Sequence, residues 1–109
     1  MRRDVFQAIA DPVRRDIIGI LAHNSLTVTA IAENFEISRP AISKHIKILK
    51  ECGLIRVNKS GREHYYEILP KNLLPVSNWI EQYRSLWEDQ LDSFGEYLLK
   101  LQTINRQKK

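Results

Sequence analysis

Cysteine is almost absent from this chain: Cys52 is the only one in 109 residues. A lone thiol has no intramolecular partner, so a disulfide framework is excluded and a reducing cytoplasm is the expected compartment. Long apolar runs are missing as well. The longest, Ile17-Ile18-Gly19-Ile20-Leu21-Ala22, falls far short of the ~20 residues that a bilayer requires, and no membrane partner is expected. The opening Met1-Arg2-Arg3-Asp4 is charged and no apolar stretch follows it, so secretion is not expected either. Glycine and proline number only four each, which excludes collagenous and low-complexity chains. There is no Gly-rich phosphate loop, and Ser38, Ser43 and Ser60 lack an acid–His pair at a recognisable spacing. Catalysis is therefore not expected. What remains, 43% hydrophobic and 28% charged, suits one globular domain over residues 1–109.

The net charge of +4 is modest, but its distribution is uneven. Residues 37–66 carry seven cations (Arg39, Lys44, Lys47, Lys50, Arg56, Lys59, Arg62) against Glu51 and Glu63, a net +5. The segments on either side, 1–36 and 67–105, are net −1 and −3, and Arg106, Lys108 and Lys109 end the chain with +3. A basic middle between acidic flanks points to a face for a polyanion, provided that its cations converge on one side.

Periodicity places the elements. Val5, Phe6 and Ile9 lie at helical spacing in a short first helix. Asp11 as cap and Pro12 at the first helical position then start a second, whose inward positions are Val13, Ile17, Ile20 and Leu21. Thr27 caps a third short helix with Val28, Ile31, Ala32 and Phe35 inward, and a tight turn through Glu36-Ile37 leads to Ser38, the cap of a fourth. Ile42, Ile46 and Leu49 form its buried stripe, and Gly53 is placed to end it. Residues 54–57 and 64–68 are β-branched and aromatic and read as strands, joined by the polar tip Asn58-Lys59-Ser60-Gly61-Arg62. A last helix is expected from Lys71 onward, to about 102–104, with its register reset near Pro75.

Residues 27–52 thus have the layout of a helix-turn-helix, although the turn position usually filled by glycine holds Glu36. With Ile42, Ile46 and Leu49 inward, the fourth helix turns Arg39, Pro40, Ser43, Lys44, Lys47 and Lys50 outward, with His45 on its edge. Such a face suits base edges and phosphates of double-stranded DNA. The hairpin 54–68 follows at once, its Lys59 and Arg62 able to reach phosphates or a narrow minor groove. Tyr65, Tyr66 and Ile68 are expected to anchor the hairpin. The fold expected is mainly α with a small β-hairpin: a winged helix-turn-helix, with a long C-terminal helix for dimerisation.

Three segments carry a resemblance: Phe6-Gln7-Ala8-Ile9-Ala10-Asp11-Pro12-Val13-Arg14-Arg15, Ser38-Arg39-Pro40-Ala41-Ile42-Ser43-Lys44-His45-Ile46 and Gly61-Arg62-Glu63-His64-Tyr65-Tyr66. In this order they resemble the ArsR-type winged-helix transcriptional repressors of prokaryotes, over roughly residues 4–101. The resemblance implies a homodimer that binds an inverted-repeat operator, often its own, and blocks transcription. It implies DNA-reading contacts for Arg39, Pro40, Ser43 and Lys44 on the recognition helix and a wing contact for Arg62. Ser38, Lys47 and Lys59 are expected beside them from their place on the same helix and hairpin, and His45, on the helix edge, is expected to bond a phosphate or the core rather than read a base. Many such repressors sense metals through a Cys-x-Cys before the turn or through His and carboxylates on the last helix. Here Thr27 and Thr29 stand at the thiolate positions and no histidine follows Lys71, so no metal and no cofactor are expected. Cys52 has no second cysteine to resolve an oxidised sulfur, which argues against thiol sensing.

The last helix carries Val76, Ile80, Tyr83, Trp87, Leu91, Phe94, Leu98 and Leu101 at spacings of three and four, a near-heptad stripe. Some thirty helical residues extend ~45 Å, more than one small domain covers with its own core. A symmetric dimer is expected, with Tyr83, Trp87, Leu91, Phe94 and Leu98 joined at the interface by Val5, Phe6 and Ile9. Two readings compete with the simple repressor: a winged-helix module that binds proteins, and a repressor gated by a small molecule or a thiol signal. The sequence names no effector.

Overall fold

The computed structural model describes residues 3–107, and the side chains up to Gln102. Its elements run α1 (Val5–Ala8), α2 (Pro12–Leu21), α3 (Val28–Ala32), α4 (Arg39–Glu51), β1 (Ile55–Ser60), β2 (Glu63–Ile68), a 3₁₀ turn (Pro70–Leu73), α5 (Leu74–Glu81) and α6 (Arg84–Gln107). The chain forms two compact units, Met1–Val76 and Ser77–Lys109. Arg2 and the tail residues Arg106, Lys108 and Lys109 noted in the sequence lie outside the described side chains.

The first unit is built by caps and a small aliphatic core. Asp4, Asp11, Thr27 and Ser38 each stand extended just before a helix and accept the backbone N–H three residues on. Each cap satisfies a donor that the helix leaves unpaired, typically ~1 kcal/mol. Ile17 and Leu21 of α2, Ile31 of α3, and Ile42, Ile46 and Leu49 of α4 meet Val5, Ala8, Leu54 and Ile55 in one buried cluster. Val13, Val28, Ala32, Phe35, Tyr66, Leu73 and Val76 pack half-buried around it. Fully burying one such aliphatic side chain is worth about 1.5–3 kcal/mol.

Two details of the expected layout change. The turn between α3 and α4 needs no glycine: among the described residues only Gly53 and Gly61 have positive φ. Glu36 is therefore unstrained, and Asn34 supports the turn by donating from its side chain to the Ala30 carbonyl at 3.0 Å. The hairpin is longer and its tip shorter than the polar composition of 58–62 suggested. Strand pairing continues to Ser60↔Glu63, leaving a turn of Gly61 and Arg62 alone. With φ +63° at Gly61 and no positive φ at Arg62, this is the two-residue geometry that matches strand twist. Polar side chains extend the ladder because both faces of the tip are solvated.

A third, one-residue strand went unread in the sequence. Leu26 and Tyr66 exchange both backbone hydrogen bonds, at 3.1 and 2.7 Å, which fastens the entrance of α3 to the hairpin. At the end of α4, Gly53 (φ +78°) and Leu54 donate to the carbonyls of Lys50 and Leu49. Those two bonds make a Schellman close that turns the chain directly into β1.

The helix expected from Lys71 to about 102–104 is interrupted. Pro75 has no N–H to give the Lys71 carbonyl, so the α-helical ladder cannot run through 71–75 and the segment begins as a 3₁₀ turn. A second break at Gln82-Tyr83 separates α5 from the long α6. Among the described residues of the second unit, all but Gly95 are exposed. Trp87 is 65% and Leu91 63% accessible, and Trp79 meets Tyr83 edge-to-face at 5.6 Å.

Candidate nucleic-acid interface

Ser38 starts α4 with its hydroxyl accepting the Ala41 N–H at 3.3 Å. Ile42, Ile46 and Leu49 then hold one face in the core, and geometry sends Arg39, Pro40, Ser43, Lys44, Lys47 and Lys50 to solvent, all exposed. The ion pairs of the described residues engage Arg3 with Glu51, Arg56 with Glu67, Arg84 with Glu81 and, when its ring is protonated, His45 with Asp11. None engages Arg39, Lys44, Lys47, Lys50, Lys59 or Arg62. A face of unneutralised cations is what counterion release from phosphates requires.

The hairpin completes the face. Directly opposed residues of an antiparallel pair share a side of the sheet, so Ile55/Ile68, Val57/Tyr66 and Lys59/His64 line one face. At the base this face is core; at the tip it is basic. Tyr66 packs against the core while Tyr65, on the other face beside Asn58, stays half-buried without joining it. The expected anchoring role of Tyr66 and Ile68 is thus realised in packing. Arg56, also on the far face, is held by Glu67.

An open groove of about 520 Å³ brings the two halves together: Arg39 from the start of α4 and Arg62 from the wing tip both line it. Thr27, Val28, Thr29, Glu63, His64 and Tyr66 complete its walls. Thr27, Thr29 and His64 carried no expected DNA role. The Lys59/His64 register, not composition, was the missing signal for His64. The Leu26–Tyr66 bridge explains the threonines, because it draws the start of α3 against the wing.

Three residues assigned to function by the sequence, His45, Val5 and Ile9, are turned toward their own chain. His45 is half-buried, with Nδ1 3.5 Å from Arg14 Nη1 and 3.9 Å from Asp11 Oδ2. It faces α2 rather than standing among the outward lysines. Val5 is buried in the core of its own chain and Ile9 packs half-buried against it, so of the first helix only Phe6, 39% exposed, offers apolar surface. Those side chains face inward because the apolar side of the short α1 packs into the cluster formed by α2, α3 and α4.

Electrostatics follow position. Burial alone would raise the Asp11 carboxyl, but the Arg14 backbone N–H and the nearby His45 and Arg14 charges outweigh it and hold the group below its ordinary value. Burial pushes the Cys52 thiol up, only partly countered by Arg3 and Arg14. Among the described residues no three His, Cys, Asp or Glu side chains converge, and no helix is long and apolar enough to cross a membrane.

A helix-turn-helix followed by a basic-tipped hairpin defines a winged-helix DNA-binding protein. The family model described as the bacterial regulatory protein arsR family matches residues 11–57. The chain is 40% identical over 77 residues to the transcriptional repressor SdpR of Bacillus subtilis, covering 71% of this chain and 86% of that protein. It is similar to the solved ArsR-like transcriptional regulator from Rhodococcus sp. RHA1, with a TM-score of 0.68, 30% identity and 84% of each chain covered. A further solved relative is the homodimeric winged helix-turn-helix domain of Mb0332 from Mycobacterium bovis, with a TM-score of 0.60, 25% identity, and 74% and 75% of the two chains covered. The chain belongs to the ArsR family of transcriptional regulators and is not an enzyme.

Proposed function

We propose that this protein is a homodimeric repressor that binds an inverted-repeat operator, its own promoter among its targets, without sensing a metal. The observation that carries the reading is the convergence of Arg39 and Arg62 on one groove beside the unpaired lysines of α4. Arg39 and Ser43 read base edges, Ser38, Pro40, Lys44 and Lys47 set the helix against the groove, and Lys59 and Arg62 hold the flanking backbone. The exposed stripe Tyr83, Trp87, Leu91, Phe94 and Leu98 of the second unit supports a second copy as the partner, as does the homodimeric state of the solved relative from Mycobacterium bovis. Two recognition helices then stand ~34–36 Å apart, one turn of B-DNA. Thr27 and Thr29, hydroxyls where a metal sensor of the family carries thiolates, support metal independence.

The test is binding to a duplex from the protein's own upstream region, followed by fluorescence anisotropy across salt. Roughly six to ten phosphate contacts lose about 10³–10⁵ in affinity between 50 and 200 mM salt. A flat dependence would replace the repressor with the protein-binding module, and a footprint without two-fold symmetry would remove the inverted-repeat operator. Repeating the footprint with added zinc, arsenite and small organic molecules tests the effector.

A further inference from the structure

Arg14 is the third residue of α2 and is absorbed by none of the roles above. Its backbone N–H caps onto Asp11, while its side chain turns back toward α1. There Nε donates to the Ala8 carbonyl and Nη2 to the Gln7 carbonyl, each at 2.9 Å. A helix of four residues cannot persist by its own hydrogen bonds, so these two contacts close its exposed end. The remaining nitrogen, Nη1, lies 3.5 Å from Nδ1 of His45 on the recognition helix. One guanidinium therefore joins α1, α2 and α4.

The chemistry at His45 is decided by that neighbour. A guanidinium only donates, so the contact requires a lone pair on Nδ1 and places the neutral ring's proton on Nε2. Asp11 Oδ2 favours the opposite tautomer, but it is farther, at 3.9 Å, and already accepts from the Arg14 N–H. We infer that Arg14 is a positioning residue for DNA reading: it ties α4 to the α1–α2 corner and holds His45 as the Nε2–H tautomer. In that form the ring nitrogen not engaged by Arg14 is a donor, which matches the acceptor-only oxygens of phosphate at the edge of the recognition helix. The Nδ1–H tautomer would present a lone pair instead. This inference rests on α4 being the DNA-reading helix.

The test begins without DNA. Long-range ¹H–¹⁵N spectra of the full-length protein at about pH 8, where an ordinary imidazole is neutral, report the tautomer directly. We expect His45 to carry its proton on Nε2 in the wild type, and Arg14→Gln to move it to a mixture or to Nδ1. Against a duplex selected by the wild-type protein from a random pool, Arg14→Gln should lose about tenfold in affinity. The slope of log affinity against log salt should not change, because Arg14 touches no phosphate. A wild-type ring protonated on Nδ1 overturns the inference, whether or not the variant folds. A slope shallower by about 0.9 also overturns it, since Arg14 would then be a direct phosphate contact. Failure of the wild type to select any duplex would instead overturn the DNA-reading assignment and leave the tautomer result standing.

Discussion

At the scale of single residues, the division of labour follows from which cations are already neutralised. Arg56 and Arg62 both belong to the hairpin, yet Glu67 holds Arg56 on the far face while Arg62 sits in the turn at the groove. Arg62→Ala should weaken binding to every sequence and shallow the salt slope by about 0.9, whereas Arg56→Ala should leave the slope nearly unchanged; salt titrations of both variants decide. Equal slopes for wild type and Arg62→Ala would remove the wing from the contact. Cys52 makes a second case. Its thiol is pushed up by burial at the end of α4, which lowers the thiolate fraction at neutral pH. Alkylation by iodoacetamide should run slower than for free cysteine and rise to the free rate in denaturant. Reaction at the free rate in the native protein would make Cys52 an available sensor. Among individual residues the outward set Arg39, Ser43, Lys44 and Lys47 was legible from the apolar spacing of Ile42, Ile46 and Leu49 alone. His45 was not, because its orientation depends on Asp11 and Arg14, thirty-one and more positions away in the chain.

Elements are set by their ends. Asp11, Thr27 and Ser38 can be read as caps because each has a short acceptor just ahead of an apolar period, and the structure uses all three. The close of α4 depends on Gly53 at φ +78°, where a Cβ would meet only Asn72 Nδ2 at 3.9 Å. Space is therefore not the obstacle; backbone strain is. Gly53→Ala should destabilise the fold by about 1–2 kcal/mol, read from chemical denaturation at constant m. No change in midpoint would show that the wing does not rely on this left-handed close. The interrupted segment after residue 70 was harder to read. Pro75 was visible as a reset, but the apolar stripe from Val76 runs on through Gln82-Tyr83, and periodicity alone reports neither the missing Pro75 N–H nor that break. The hairpin erred in the opposite direction: Asn58, Lys59 and Ser60 have turn-like composition, while cross-strand pairing with Tyr65, His64 and Glu63 keeps them extended.

For the whole molecule, the two units differ in what they bury. The first holds a closed aliphatic cluster; in the second, Trp87, Leu91, Phe94 and Leu98 are 43–65% exposed along one helix. Contiguous apolar surface of that kind signals an interface. Leu91→Glu should shift sedimentation from dimer to monomer and reduce operator affinity at least a hundredfold, because one half-site loses its tethered neighbour. A variant that stays dimeric with unaltered affinity would remove α6 from the interface. The amino-acid order by itself determined the helix-turn-helix and its wing, since 3.6- and 2-residue periods, caps and a basic segment are local properties of the chain. Only the tertiary structure decided which of those residues meet. Arg39 and Arg62, twenty-three positions apart, line one groove because Leu26 pairs with Tyr66 and Gly53 turns α4 into β1. His45 turns to Arg14, and Val5 to the core, because side-chain direction is settled by packing partners from distant elements, which no local period encodes.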